Sequence, residues 1–443
     1  MPLPFKHQNI ELSNNIGLAQ KRLEHLKTKL AKDTRLKSEY VSFMSDMVSN
    51  GWAEKVEGSD LSKDQVWYIP HHGVYNSQNN KLRVVFDCSA RSKGKSLNDL
   101  LLQGPDLTNT LVGVLCRFRE EDVAFCCDVA KMFYQFRVDP KHRDYMRFLW
   151  WDHGDLSLTP SVYRMTVHLF GAASSPSCSN FGLRQIAFDY ESQFGLDVGQ
   201  FLRENFYVDD GLKSVCDEDT AVSLVHLTIE MCKQGGLKLH KFISNSRTVL
   251  ESIPSEFRAD GIQKVDLRLE SLPVERTLGV EWCVESDTFQ FRVTIKDRPY
   301  TRRGLLSTVA SVYDPLGFIS PFTLKGKRLL QTLCIEGRDW DDPISDELRA
   351  QWEQWLLAIS DLEQVKLNRC IKPKGFKISK VEFHHFSDAS VLGYGQCSYL
   401  RLLSASGQVH VSLLSAKARV APIKPVTIPR LELSAAVVSV KAS

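Results

Sequence analysis

The chain has 443 residues, 25% charged and 43% hydrophobic, a globular profile that excludes a wholly disordered chain. A net charge of only +3 excludes polyanion binding through a global field, so any such binding needs local basic patches. No apolar run approaches the ~20 residues of a membrane-spanning helix, and eleven cysteines without a Cys-x-x-Cys pair point to reduced thiols in a cytoplasmic or nuclear setting.

The length suits about two to four domains. Met1-Pro2-Leu3-Pro4-Phe5-Lys6 lacks the apolar core of a signal peptide. Residues 12–50 read as helical, with Ser13 as a cap. Leu23, Leu26 and Leu30 repeat at helical spacing, as do Tyr40, Phe43, Met44, Met47 and Val48. Residues 21–37 hold seven Lys/Arg against two acids, which suits either phosphate contact or a solvated face. Trp67–Pro70 and Lys81–Asp87 read as paired strands joined by a turn near Asn76–Asn80. A helix over Thr108–Arg117 leads into Val123–Val129, a continuous apolar run that reads as a buried strand and carries Asp128.

Residues 137–168 read as strand-rich. The small residues around Gly171-Ala172-Ala173 allow close backbone approach, and Ser175-Pro176 opens a helix to about Tyr190. Next comes Asn205-Phe206-Tyr207-Val208-Asp209-Asp210-Gly211, where Asp210-Gly211 is a hairpin signal. A helix spans Asp217–Gly235. Three more cover Thr301–Ser311, Pro321–Glu336 and Ser345–Ile359, with Arg302, Arg303, Lys325, Lys327 and Arg328 placed to face a nucleic-acid duplex. Asp341-Asp342 reads as a solvated loop. After a basic linker at 371–375, Val381–Ser390 and Gly393–Gly395 read as strand, turn and strand, and Arg430 opens a last helix. No Asp-Thr-Gly or Asp-Ser-Gly occurs, so an aspartic protease site is absent.

An aspartate on a core strand is costly unless it is paired or bound to a metal. Asp128 with Asp209 and Asp210, on adjacent strands, would form an oxygen-ligand site suited to two Mg²⁺ ions. Such ions, about 3.5–4 Å apart, clamp the attacking and leaving oxygens of a phosphoryl transfer.

These motifs resemble a known family. Asp128 with Phe133 five residues on, Phe170-Gly171 with Ser175-Pro176, and Tyr207-Val208-Asp209-Asp210 occur in the order seen in the palm of reverse transcriptases. Arg143–Trp151 and Val312-Tyr313-Asp314-Pro315-Leu316-Gly317 are similar to the BEL/Pao class of LTR retrotransposons. The resemblance implies an α+β right-hand polymerase with fingers, palm and thumb, followed by a truncated ribonuclease H-like α/β domain. The expected parts are an N-terminal helical segment (1–60), fingers and palm (61–285), a helical thumb or connection (286–371), and an incomplete ribonuclease H-like domain (376–443).

The implied activity is RNA-directed DNA synthesis by a fragment of a retrotransposon polyprotein, acting on an RNA or DNA template, a primer strand and dNTPs. Asp128, Asp209 and Asp210 would be catalytic, and with Val129 would hold two Mg²⁺ (or Mn²⁺) ions. Arg83 would bind the triphosphate, and Phe133 would exclude a 2′-hydroxyl. Phe170 and Gly171 would contact template and nucleotide. Lys241 would protonate the pyrophosphate or be structural, and Arg276–Trp282 would grip the primer. Asp388 and Glu432 match the first two ribonuclease H metal ligands, a half-site from which no hydrolysis is expected. His384 and His385, on opposite faces of one strand, are not expected to chelate together. The alternatives are a non-catalytic nucleic-acid-binding remnant, or a ribonuclease H-type hydrolase completed by a further segment.

Overall fold

The computed structural model describes residues 1–443 except 9, 11, 13, 59, 61–64, 77–79, 264–271, 294–296 and 442–443. In chain order the first elements are α1 (Ile16–Lys32), α2 (Thr34–Ser49), β1 (Ala53–Lys55), β2 (His71–Tyr75), β3 (Leu82–Phe86), α3 (Leu97–Leu100), α4 (Leu111–Phe118) and β4 (Val123–Val129). Then come β5 (Arg147–Trp150), β6 (Ser161–Met165), α5 (Ser175–Phe194), α6 (Leu196–Glu204), β7 (Phe206–Tyr207), β8 (Asp210–Val215), α7 (Glu218–Gln234), β9 (Leu239–Ser244) and α8 (Arg247–Ser252). The last are β10 (Val274–Thr277), β11 (Val280–Cys283), β12 (Thr288–Gln290), α9 (Arg302–Ser311), α10 (Ser320–Ile335), α11 (Asp346–Asp361), β13 (Lys366–Asn368), β14 (Ile378–Ala389), β15 (Gly393–Ser404), β16 (Val409–Val420) and α12 (Ile428–Val440). None of the described helices is long and apolar enough to cross a membrane.

The chain forms two compact units, one of Met1–Thr108, Val129–Arg203 and Ile229–Leu239, the other of Asn109–Asp128, Glu204–Thr228 and His240–Ser443. The first unit holds the sheet β1-β6-β5 and the hairpin β2-β3. Leu23, Leu26 and Leu30 of α1 and Tyr40, Met44 and Met47 of α2 pack into a core with Trp67, Phe148 and Trp150. The predicted cap Ser13 lies outside the described residues. Asn15 flanks α1 without capping it, because its buried amide is taken by Tyr68: Asn15 Nδ2 donates to Tyr68 O and Tyr68 N donates to Asn15 Oδ1. The two helical runs expected within 12–50 divide at Asp33, whose side chain accepts from Leu36 N and starts α2.

The strand pairing differs from expectation. β3 pairs with His71–Tyr75, not with Trp67–Pro70. Trp67 and Ile69 instead exchange backbone hydrogen bonds with Arg147, and all of Val66–Ile69 is buried. Of the turn between the strands, residues 77–79 lie outside the described residues.

The second unit is built on three sheets, β7-β8-β4-β9, β10-β11-β12-β13 and β14-β15-β16. Val114, Leu115 and Phe118 of α4 pack with Ala124, Cys126, Leu212 and Trp282. Helices α9–α11 enclose a separate core of Leu305, Val309, Leu333, Trp352, Trp355 and Ile359. β16 was not legible beforehand; it completes a meander whose β14 is an edge strand. Arg369, fully buried, donates to both oxygens of Asp287 at 2.6 and 2.8 Å and to the carbonyls of Phe118, Glu121 and Asp122. It thereby ties the loop before β4 to the β11–β12 turn.

The Val312–Gly317 motif acquires a structural role. The Asp314 carboxylate accepts from Phe318 N and Ile319 N at 2.9 Å each, just ahead of α10. Ala416 N of β16 donates to Leu316 O at 2.8 Å. Gly317 has φ 75°, and a Cβ there would collide with Ala416 O. Glycine is required by both conformation and contact.

Candidate active site

β4 and β8 run antiparallel with Asp128 directly opposite Asp210. Such partners have Cα atoms about 4.5–5.5 Å apart. β7 and β8 form a hairpin in which Tyr207 pairs with Asp210, leaving Val208 and Asp209 as its loop. Adjacent strands of one sheet thus bring the three aspartates together.

The turn itself, Val208-Asp209, sits two residues earlier than Asp210-Gly211. The positive φ belongs to Val208, at 58°. A β-branched residue in this region is strained by roughly 1–3 kcal/mol, and such strain concentrates at functional sites. Gly211 lies within β8, where an added Cβ would come 2.5 Å from the Phe206 ring. Close packing, not turn conformation, demands this glycine.

β9 supplies the cation. Lys241 Nζ donates to Asp128 Oδ2 at 2.6 Å, and His240 Nε2 lies 3.3 Å from the same oxygen. Neighbours on a regular strand point to opposite faces. Lys241 has φ 53°, which breaks that alternation and lets both side chains reach Asp128. His240 and its role were not anticipated, because regular alternation assigns only one of the two to this face.

Asp128, Asp210, Lys241, Glu275 and Thr277 line a cavity of about 230 Å³. Burial raises the Asp210 pKa to about 7, helped by the charges of Asp209 and Asp128. Asp209 is also raised, first by burial and then by Asp128. Burial acts the same way on Asp128, but hydrogen bonds from His240 and Lys241 outweigh it and hold this carboxyl below the ordinary range. Glu275 is raised by burial and by Asp260. Glu275 is a further carboxylate on the cavity wall that the sequence did not single out.

Among the described residues no three His, Cys, Asp or Glu side chains already stand as a metal cage. The donor set fits a hard divalent cation in chemistry: half-buried carboxylates that raise one another's pKa are what such an ion relieves. At present the Lys241 ammonium meets the Asp128 oxygen. Val129, the last residue of β4, has a buried side chain.

Within the first unit, Phe133 is buried in a 3₁₀ turn and its ring meets that of the exposed Phe170, centroids 4.4 Å apart. Gly171 has φ 99°, and a Cβ there would sit 2.8 Å from Phe86 O. Asn98 clamps this loop: Nδ2 donates to Gly171 O and Oδ1 accepts from Ala173 N. This positioning role was not read from the sequence, since nothing local links residue 98 to 171. Arg83 is exposed on β3.

In the second unit Arg303 grips Asp341 through two hydrogen bonds, and Arg302 stacks on Trp340. Asp388 and Glu432 are both exposed, and Asp388 Oδ1 accepts from Ala389 N. His384 approaches Glu382 while His385 meets Ser398, so the two rings have separate partners.

The fold is similar to that of foamy viral protease–reverse transcriptases. A foamy viral protease–reverse transcriptase solved with double-stranded DNA superposes with TM-score 0.58 over 100% of this chain and 76% of its own, at 13% identity. A second structure with double-stranded DNA gives 0.56 over 100% and 62%, and one with an RNA/DNA hybrid gives 0.56 over 93% and 46%, both also at 13% identity. The chain therefore spans less than two thirds of these last two proteins. Residues 301–443 match the Pao retrotransposon-like RNaseH-like domain family, which marks the chain as similar to a fragment of a Pao or retroviral pol protein. No curated protein sequence matches it.

Proposed function

We propose that the chain is the polymerase portion of a Pao-type retrotransposon pol protein, and that it adds deoxynucleotides to a primer 3′-hydroxyl on an RNA or DNA template. One observation carries this: Asp128 and Asp210 are register partners, with Asp209 in the adjoining loop. In this reading residues 1–60 are an N-terminal helical segment, 61–285 act as fingers and palm, 286–371 as thumb or connection, and 376–443 as a ribonuclease H-like lobe.

Asp128, Asp209 and Asp210 would hold two Mg²⁺ ions, with the Val129 carbonyl beside them; bound there, such ions activate a hydroxyl and neutralise phosphate charge. The protein's own groups do the positioning. Lys241 stays an ammonium: burial opposes its charge, but the Asp128 hydrogen bond prevails and raises its pKa. It is thus charged at neutral pH and able to stabilise or protonate a departing pyrophosphate. Arg83 offers a planar fork to triphosphate oxygens. Phe133, held against Phe170, presents a rigid wall to the sugar.

Primer extension on an RNA template tests this, with Asp209→Asn as the control. A second reading, hydrolysis of RNA in hybrids, is favoured by the family match over 301–443. Two exposed carboxylates are a half-site, so the purified chain is expected to leave a labelled hybrid intact. Mg²⁺-dependent cleavage would establish the second reading.

A further inference from the structure

α1 has two chemically distinct sides. Ala19, Leu23, Leu26 and Leu30 are buried. At about 100° per residue, Lys21 and Lys32 point away from that face and Lys29 lies on the flank, roughly 60° around the helix from Lys32. All three are exposed. From Lys21 to Lys32 they span 12 residues, roughly 16 Å of helix axis.

Two neighbouring arginines are paired, Arg22 with Asp87 at 3.5 Å and Arg35 with Glu39 at 2.7 Å, while Lys27 of the same helix lies 6.0 Å from the Trp151 ring. Among the described residues no carboxylate pairs with Lys21, Lys29 or Lys32. Glu24 is the one acid in α1. Lys29 and Lys32 stand three residues apart, a spacing at which like charges cost a few tenths of a kcal/mol unless a partner of opposite charge offsets them.

We infer that this face of α1 is a contact surface for the phosphate backbone of nucleic acid. Charge complementarity names a polyanion. The face carries no exposed large apolar side chain, which a membrane-surface helix would insert into the lipid boundary. The choice of nucleic acid rests on the polymerase reading; the existence of the polyanion surface does not.

The test is the salt dependence of binding by the full chain, without nucleotides, to a labelled RNA–DNA hybrid and to the matching single strand. Each phosphate contact adds about 0.7 (single strand) to 0.9 (duplex) to the slope of log affinity against log salt. Lys21→Gln, Lys29→Gln and Lys32→Gln should each remove about that much. The triple variant should bind on the order of a hundredfold more weakly at 0.1 M salt. The corresponding Lys→Arg triple variant should keep the slope, as should Lys141→Gln on an exposed site elsewhere in the unit. An unchanged slope in the Gln variants overturns the inference. So does an unchanged slope accompanied by loss of binding to vesicles of acidic phospholipid, which would mark a membrane surface. If the slope falls as expected but no primer is ever extended, the polymerase reading fails and this surface stands.

Discussion

Asp128 and Asp210 face each other across two antiparallel strands, and burial raises both carboxyls, yet their neighbours push them in opposite directions. Asp128 has Lys241 and His240 against it; Asp210 has two neighbouring carboxylates instead. The pair therefore divides into one carboxylate held ionised and one poised to titrate near neutrality.

Stability in the absence of divalent ions should follow from that division. Asp210 moves from an ordinary 3.8 to about 7 in the folded chain. Between those values the folded state binds the extra proton, so the Asp210 contribution to stability is full below about pH 4, falls as pH rises, and is gone above 7. The fall should be on the order of 2–4 kcal/mol. Urea denaturation between pH 5 and 8 with a chelator measures its upper part. Asp210→Asn should flatten the curve and raise stability at pH 8; a slope that persists in the variant assigns the effect to another group.

Lys241→Met should unlock Asp128. Without its counter-charge the carboxyl pKa rises, so the acid limb of the pH–rate profile should move up by roughly one unit. Turnover should fall roughly 10–100-fold through loss of positive charge at the site. An unshifted acid limb would show that Lys241 does not set the ionisation of Asp128.

Phe133→Ala should relax sugar selection. The buried ring packs on Phe170, and its removal should cost about 3–5 kcal/mol of stability. Incorporation of ribonucleotides relative to deoxynucleotides should rise at least about tenfold, the scale of one lost steric contact. Competition between the two in single-nucleotide extension reads this directly, and an unchanged ratio would remove Phe133 from the sugar site.

Arg369→Met should destabilise the second unit by about 3–5 kcal/mol, because it strands Asp287, the buried Phe118 carbonyl and the half-buried carbonyls of Glu121 and Asp122. Thermal unfolding gives the value. A loss under about 1 kcal/mol would mean that water replaces the guanidinium at no great cost.

Helical periodicity made α1, α2, α7 and α9–α11 legible to within a few residues. The strand bearing Asp128 was legible too, because a short apolar run ending in a carboxylate has few other uses. Pairings were harder. His71-His72-Gly73 carries little strand signal, so the apolar Trp67–Ile69 run drew the pairing that belongs to β2. β16 alternates poorly, its Ser412, Ser415 and Lys417 interrupting the apolar residues. The contacts of His240 depend on one left-handed backbone angle at Lys241, and those of Asn98 on a loop more than seventy residues away. Neither leaves a local trace in the sequence.

The decisive measurement is single-nucleotide extension of a DNA primer on an RNA template by the full chain, with Mg²⁺ and with chelator, beside the Asp210→Asn variant. Template-directed extension should require Mg²⁺ and should fall at least about a thousandfold in the variant, which stays folded. Absence of extension by the unaltered chain, or equal extension by the variant, would show that the facing aspartates are not a polymerase centre.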